Sequence, residues 1–410
     1  MNIEFVEHLS ECEFNEFVMH SPYKSIYQMS CWAQVKKTWE HAYVGLRIDD
    51  KLQAAGMILF RNLGAGLKMA YMTRGPILDY SDDKVLKIFF SEVKKYCRKR
   101  KAIVLKFDPN IKIATCELNE KQKAQEARND ELVNRLENCG AHFLGYHLEL
   151  SKAIQPRFQM NFPLEENFEN RFSSKQKKKI KEAVQKGVVV IEGGLECLND
   201  FIQVIHCTER RKGIALRNEE YFADMLNAYD GHSTLLVAKI DYQKALQNCQ
   251  NELDLIDKQM CELPFAANKK RNELERKREK INKEIAMLEN DQKELGSLAS
   301  ALLLVDDGTT AELLYSGLDE RYRRYLPAYI LRYEGMKWAY RKGCKYFNFG
   351  GVQGTFDDGL FEFKSSFNPC IDVYLGEFDL PCIDFIYPLW AHGLPLAKKA
   401  IRSLRRSKKD

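Results

Sequence analysis

The sequence predicts an α+β protein built from two copies of one domain, with a pair of long helices inserted in the second. Three observations carry this expectation. Short strands and amphipathic helices are interleaved through both halves. The segment KIFFSEVKKYCRKRKAIVLKFDP matches YEGMKWAYRKGCKYFNFGG in pattern: an aromatic-rich amphipathic helix, a basic last turn, then a buried strand. Between Tyr242 and Leu298 the apolar residues fall into heptad spacing.

The first copy spans 1–150. IEFVEH reads as a strand and CEFNEFVMHS as a helix. SCWAQVKKTW reads as a second helix, with Trp32, Val35 and Trp39 on one face and Lys36 off it. HAYVGLRIDDKLQAAGMILFRNL is a hairpin turning at Asp49-Asp50, and KMAYMTRGPIL is a strand ending in a Gly-Pro turn. A helix from Asp83 to about Arg100, the strand AIVLKFDP, a charged helix over Glu120–Asn138 and the strand HFLGYHLEL complete it.

The second copy spans 151–240 and 299–384. A lysine-rich helix (Asn170–Lys186), the strand VVVIEG and helices over Leu198–Arg211 and Glu219–Tyr229 lead to STLLVAKI. Beyond the insertion come SALLLVDDG, TAELLYSG, a helix over Pro327–Lys342 and the strand KYFNFGG. The tail, 385–410, is interrupted by Pro388 and Pro395 and then turns strongly basic. With Trp390 and its leucines it fits a segment lying on an anionic bilayer, or equally a helix packed on the second domain.

The insertion, 241–298, has its seam at Tyr242, Leu246, Cys249, Leu253, Ile256, Met260 and Leu263. After Pro264 the seam resumes at Leu274, skips Arg278, and continues through Ile281, Ile285, Leu288 and Leu295. Two heptad helices split by a proline turn read as an antiparallel coiled-coil hairpin projecting roughly 30–40 Å. Its tip is basic: Lys269, Lys270, Arg271, Arg276, Lys277, Arg278, Lys280 and Lys283 face only Glu273, Glu275 and Glu279. Such a tip suits a long polyanion such as RNA; a dimerisation arm is the plainer reading.

A net charge of +5 is too mild to demand nucleic acid by itself, so the local clusters carry that argument. No two of the 12 cysteines are closer than Cys197 and Cys207, which excludes zinc-knuckle spacing and fits a reducing compartment. The opening MNIEFVEHLSECEF has acids where a secretory leader has bases, and no apolar run approaches the ~20 residues of a membrane span. A cytoplasmic protein is expected. GxSxG, HExxH, P-loop and GxGxxG patterns are absent. Arg210-Arg211-Lys212-Gly213-Ile214-Ala215 matches the R-x-x-G-x-A phosphate loop of acetyl-CoA-dependent N-acetyltransferases, but at the end of a helix, where that loop should precede one.

Candidate site residues follow from position. Asp108 ends an apolar strand in KFDP, where it either lines a cleft and orients or deprotonates an amine, or simply turns the chain before Pro109. Lys36 is a phosphate-binding cation or a solvated one. In DGLFEFKSSF, read as a strand, Lys364 lies opposite Phe361 and Phe363; it meets phosphate or a developing oxyanion, or is a surface lysine. Gly350, Gly351 and Gly354 mark a loop whose backbone passes close to something.

Taken in order, SCWAQVKKTW, MTRGPILDY, VLKFDP, IQPRFQ, KQKKKIKEAVQKGV, TERRKGIALRNEEYF, LPAYILRYEGMKWAYRKGCKYFNFGG and DGLFEFKSSF resemble the Fem/MurM family of peptidoglycan-bridge aminoacyltransferases. The resemblance covers nearly the whole chain. It implies tandem acetyltransferase-like (GNAT) domains that use no acetyl-CoA and no other cofactor. The aminoacyl group would come from aminoacyl-tRNA held by the arm and pass to a lipid-linked muropeptide precursor. By position, Lys36 and Arg211 resemble residues that hold the precursor's diphosphate, and Asp108 resembles an acid near the acceptor amine. Phe363 and Lys364 resemble the pair supporting the aminoacyl end and the tetrahedral intermediate, and Tyr315 lines the same cleft. Two other classes compete: an acetyl-CoA-dependent N-acetyltransferase, and a non-catalytic RNA-binding protein with a helical arm.

Overall fold

The computed structural model describes residues 2–264 and 266–393. These residues divide into two units, one formed by 2–162, 349–365 and 369–393, the other by 163–348 and 366–368.

In the first unit the chain runs β1 (Ile3–Val6), α1 (Glu11–Met19), α2 (Ser30–Val35), β2 (Glu40–Ile48), β3 (Lys51–Gly64), β4 (Leu67–Met72) and β5 (Ile77–Leu78). Next come α3 (Asp83–Lys99), β6 (Ala102–Phe107), β7 (Lys112–Cys116), α4 (Lys121–Glu126), α5 (Asp130–Glu137), β8 (His142–Phe143) and β9 (Phe158–Pro163). The β2–β3 hairpin turns at Asp49 and Asp50, both at positive φ, as a two-residue primed turn requires. The β4–α3–β6 crossover is held by an apolar stripe. Asp82 caps α3 through the Lys84 and Val85 N–H groups, and Val85, Leu86, Phe89, Phe90, Val93, Tyr96 and Cys97 face the sheet. Each fully buried side chain of this kind contributes about 1.5–3 kcal/mol. Because β4 and β6 run parallel, with Tyr71 opposite Lys106 and Met72 opposite Phe107, their C-terminal ends open on the same edge of the sheet.

In the second unit α6 (Ser174–Gln185), β10 (Val188–Gly193), α7 (Leu198–Lys212), α8 (Glu219–Ala228) and β11 (Ser233–Ile240) lead to α9 (Tyr242–Glu262) and α10 (Asn268–Glu294). β12 (Leu298–Asp306), β13 (Thr310–Leu318), α11 (Pro327–Arg341) and β14 (Tyr346–Val352) follow. β10 to β13 are antiparallel in sequence order, and β13 pairs with β14 in parallel through α11. This βαβ crossover repeats that of β4–α3–β6. α7 lies close on β13 because Gly317 has no side chain: a Cβ there would meet the Val204 carbonyl and side chain. The α9–α10 pair leaves and re-enters the sheet between adjacent strands, and Leu253, Ile256, Leu274 and Ile281 bury against one another along it.

After β14 the chain forms α12 (Gly359–Ser365), β15 (Cys370–Tyr374) and β16 (Phe378–Pro381). β16 pairs with β6 and β8, and β15 with β7 and β9, so residues expected in the second domain complete the first unit. Stacking of Phe378 on Phe107 explains the return: this apolar strand end has its partner in the first core.

Several local expectations change. The helix expected over Glu120–Asn138 breaks at Ala127-Arg128, because Asn129 caps a new helix through the Leu132 N–H. Of HFLGYHLEL only His142–Phe143 is strand. DGLFEFKSSF is helical, not extended: Asp358 accepts from the Phe361 N–H, so Phe361 and Lys364, three apart, share the buried face. Of the tail, 394–410 lies outside the described residues. No described helix is long and apolar enough to cross a membrane.

Candidate active site

Asp108 follows β6 directly, and at 2 % exposure it lies at the β4–β6 opening with Thr73 and Arg74. The Tyr71 hydroxyl donates to its Oδ1 at 2.9 Å, and the Arg74 backbone N–H donates to the same oxygen at 3.2 Å. The Arg74 guanidinium approaches the other oxygen, Nε to Oδ2, at 3.6 Å, too far for a hydrogen bond, and Oδ2 has no hydrogen-bond partner. Burial pushes the Asp108 carboxyl up to about 7, although Arg74 and the Tyr71 hydroxyl pull the other way. Burial wins because the ion contact is loose. The Tyr71 hydroxyl is itself pushed well above its ordinary range, by burial and then by Asp108, so it stays a donor.

Arg74 holds this geometry. It adopts φ 53, a left-handed conformation rare outside glycine, and its guanidinium donates to the Pro156 carbonyl at 3.1 Å while lying 4.4 Å over the Tyr374 ring. Pro156 in turn abuts Gly351, where a Cβ would run into the proline ring. The Gly351 carbonyl accepts from the Lys364 ammonium at 2.8 Å. Lys364 is 8 % exposed, so it is an interior cation rather than a surface lysine. A short relay of contacts therefore joins two of the expected site residues: Asp108, Arg74, Pro156, Gly351, Lys364. Phe363, half-buried on the same helix, stands beside Lys364 in the chain.

The remaining expected residues are placed differently. α2 ends at Val35, and Lys36 folds back so that its ammonium sits 4.5 Å over the Trp32 ring instead of pointing away from that face. In the second unit, Arg211 occupies the last turn of α7, which Gly213 closes in the left-handed conformation. Its guanidinium is exposed and 3.2 Å from Glu320, whereas Arg210 turns back toward Cys207. The R-x-x-G-x-A match thus lies at a helix C-terminus, where no ring of free N–H groups exists to bind a pyrophosphate. Tyr315 packs edge-on against Phe222, 4.9 Å between ring centroids, beneath α8.

Tyr71 and Arg74 are the residues that sequence reasoning missed. Tyr71 lies in a strand with the alternation of any half-buried tyrosine. Arg74, in MTRGP, carries one signal: an arginine immediately after a strand and before Gly-Pro, where a solvated cation is uncommon. Among the described residues no group of His, Cys, Asp and Glu is arranged to hold a metal ion.

A family model described as the FemAB family matches residues 9–392. The lipid II:glycine glycyltransferase of Staphylococcus haemolyticus is 27% identical over 434 residues, covering 100% of this chain and 99% of its own. That of Staphylococcus aureus (strain MRSA252) is 26% identical over 431 residues, covering 98% and 99%. Among solved structures, FemX superposes with a TM-score of 0.73 at 24% identity, covering 95% of this chain and 99% of its own. A tandem GNAT protein from the clavulanic acid biosynthesis pathway superposes at 0.51 and 9% identity, covering 93% and 99%. These two likenesses and the repeated crossover identify the fold as tandem GNAT-like. Since the family model covers residues 9–392, well over half of the chain, the protein belongs to the FemAB family.

Proposed function

We propose that the protein is an aminoacyltransferase of peptidoglycan bridge synthesis, moving glycine from glycyl-tRNA to an amine of a lipid-linked precursor. The observation that carries this is Asp108: a buried carboxylate with one unpartnered oxygen and a pKa near 7, at the open end of two parallel strands. The names of the Staphylococcus relatives supply the substrate class.

The chemistry fits the residues. An alkylammonium of ordinary pKa, about 10.4, must lose a proton before it attacks. Asp108 Oδ2 accepts that proton, and a base whose pKa lies near neutrality is ionised at working pH yet still basic enough to help. The attacked bond is an ester, already activated, so no nucleophile on the protein is required. The amine nitrogen adds to the ester carbonyl, the oxyanion collapses, and the ribose hydroxyl leaves. Lys364 brings positive charge toward the developing oxyanion, and Phe363 backs the aminoacyl end. Lys36 and Arg211 are the cations for the precursor's diphosphate. The basic arm tip suits the donor's phosphates, and the basic tail suits an anionic membrane surface.

The test is direct. Purified protein, glycyl-tRNA and a soluble lysine-containing precursor should give a glycyl-precursor amide; acetyl-CoA should have no effect. Product formed after RNase digestion of the donor, or only with acetyl-CoA, overturns the reading.

A further inference from the structure

Arg157, in the IQPRFQ segment, has a guanidinium that the fold does not satisfy. The residue is 5 % exposed, and its Nη2 donates to the Ala127 carbonyl, but Nε and Nη1 have no hydrogen-bond partner. The guanidinium lies 4.8 Å from the Tyr146 ring and 4.8 Å from the Phe158 ring. Arg128, exposed, lies over the same Tyr146 ring at 4.8 Å. One aromatic ring thus carries two arginines, and among the described residues no carboxylate pairs with either guanidinium. Buried arginines in folded proteins have their donors occupied and their charge paired, because an uncompensated interior cation is strongly destabilising. Aromatic faces compensate only in part. Burial and then repulsion by Arg128 lower the Arg157 guanidinium to about 10, the direction a missing counter-anion leaves behind.

The position of Arg157 says what that anion belongs to. Its neighbour Pro156 accepts the Arg74 guanidinium, and the Tyr374 N–H donates to the Arg157 carbonyl at 2.8 Å while the Tyr374 ring lies under Arg74. Arg157 therefore follows directly on Pro156, whose carbonyl holds the Arg74 guanidinium that faces Asp108. The cover over it is made of irregular chain: Ala127 and Arg128 lie in the break between α4 and α5, and Tyr146 lies in the stretch between β8 and β9. We propose that Arg157, with Arg128 on the same Tyr146 ring, is the seat for an oxyanion of the acceptor substrate, holding it while its amine reaches Asp108. This rests on the functional reading above. A carboxylate of the acceptor peptide and the precursor's diphosphate share the required chemistry: planar or forked oxygens that take charge-assisted N–H bonds.

Binding of acceptors to the full chain, measured by calorimetry without tRNA, separates the possibilities. Four probes are used: a lysine-containing stem pentapeptide as free acid and as fully amidated peptide, and each of these on the sugar diphosphate. The acid should bind about 10-fold or more tighter than the amide. Arg157→Met should abolish that difference while keeping the amide's affinity, and should leave the thermal midpoint of the free protein unchanged or higher, since an unpaired charge is removed. Arg128→Gln, at an exposed position, should weaken acid binding a few-fold without affecting the fold. If the Arg157 effect instead appears only with the diphosphate, the seat stands and phosphate is its occupant. Acid and amide binding equally, on or off the diphosphate, with Arg157→Met and Arg128→Gln changing neither, overturns the seat. If no probe binds at all, the functional reading fails and the seat fails with it.

Discussion

Arg74 meets Asp108 twice, through its backbone N–H on Oδ1 at 3.2 Å and through a guanidinium held 3.6 Å from Oδ2. The second contact is restrained by the first and by the Pro156 carbonyl, so the ion pair cannot close to hydrogen-bonding distance. The carboxylate keeps a nearby positive charge while Oδ2 stays without a hydrogen-bond partner.

This geometry sets a pH dependence. The Asp108 carboxyl is raised to about 7 in the fold and lies near 3.8 in the unfolded chain. Below about 4 both states hold the proton and the group costs nothing. Between about 4 and 7 the unfolded chain ionises first, so stability falls, and above about 7 the full penalty, on the order of 4 kcal/mol, is present. Asp108→Asn should therefore stabilise the protein more at pH 8 than at pH 5, as read by thermal melts. Turnover by the wild type should rise with pH through about 7, and Asp108→Asn should lower it about 10²-fold or more. A flat profile between pH 5 and 8, or a variant of normal turnover, removes Asp108 from the proton transfer.

Tyr71→Phe tests the same carboxylate from its other side. The hydroxyl stabilises the ionised form through its 2.9 Å bond, so its loss raises the Asp108 carboxyl further. The rising limb of the rate profile should move to higher pH, with the plateau reached later but little reduced. A shift in the acid direction would mean that Tyr71 does not act through Asp108.

Lys364 and the diphosphate cations should separate kinetically. Lys364→Met keeps the stem volume and removes the charge, and should lower turnover about 10²-fold with little change in the acceptor KM. Lys36→Ala and Arg211→Ala should raise the acceptor KM and spare turnover, since charge-assisted phosphate contacts act on bound substrate and transition state alike. Small, equal effects at all three positions would place the site elsewhere.

What the sequence revealed and what it hid divide along the range of the interactions. The repeated crossover, the hairpin turn at Asp49-Asp50 and the two inserted helices are local patterns, and each was legible. The helix at Gly359–Ser365 was misread because Phe361, Phe363, Glu362 and Lys364 alternate over too few residues to separate a period of two from one of three to four. The return of β16 to β6 was invisible, since strand partners 271 positions apart in the Phe378–Phe107 pair leave no local mark. Chain position and resemblance singled out Asp108 and Lys364, and the structure buries both. Arg74, which contacts both oxygens of Asp108, needed the fold, because its three partners, Asp108, Pro156 and Tyr374, all lie far from it in the chain.

The arm is the last part whose role can be isolated. β11 and β12 are antiparallel neighbours with Lys239 opposite Leu298, so removing Asp241–Ser297 and joining the strands by a short turn leaves the ladder intact. The root will feel the loss. Arg324 binds Asp291 at 2.9 Å and Glu284 at 3.0 Å, the Tyr325 hydroxyl donates to Asp291, and the Tyr322 hydroxyl donates to the Gly296 carbonyl. Stranding these groups should cost about 1–3 kcal/mol, seen as a lower but still cooperative melt. If the basic tip holds charged tRNA, the deletion should raise the KM for glycyl-tRNA, flatten its dependence on salt, and leave the acceptor KM unchanged. Reversing charge at Arg276 and Lys277 to Glu, at the tip and away from the root, should reproduce the kinetic effect without the loss of stability. An unchanged KM for tRNA in both proteins, together with a smaller sedimentation coefficient than a dimeric parent, would make the arm a contact between copies of the chain instead.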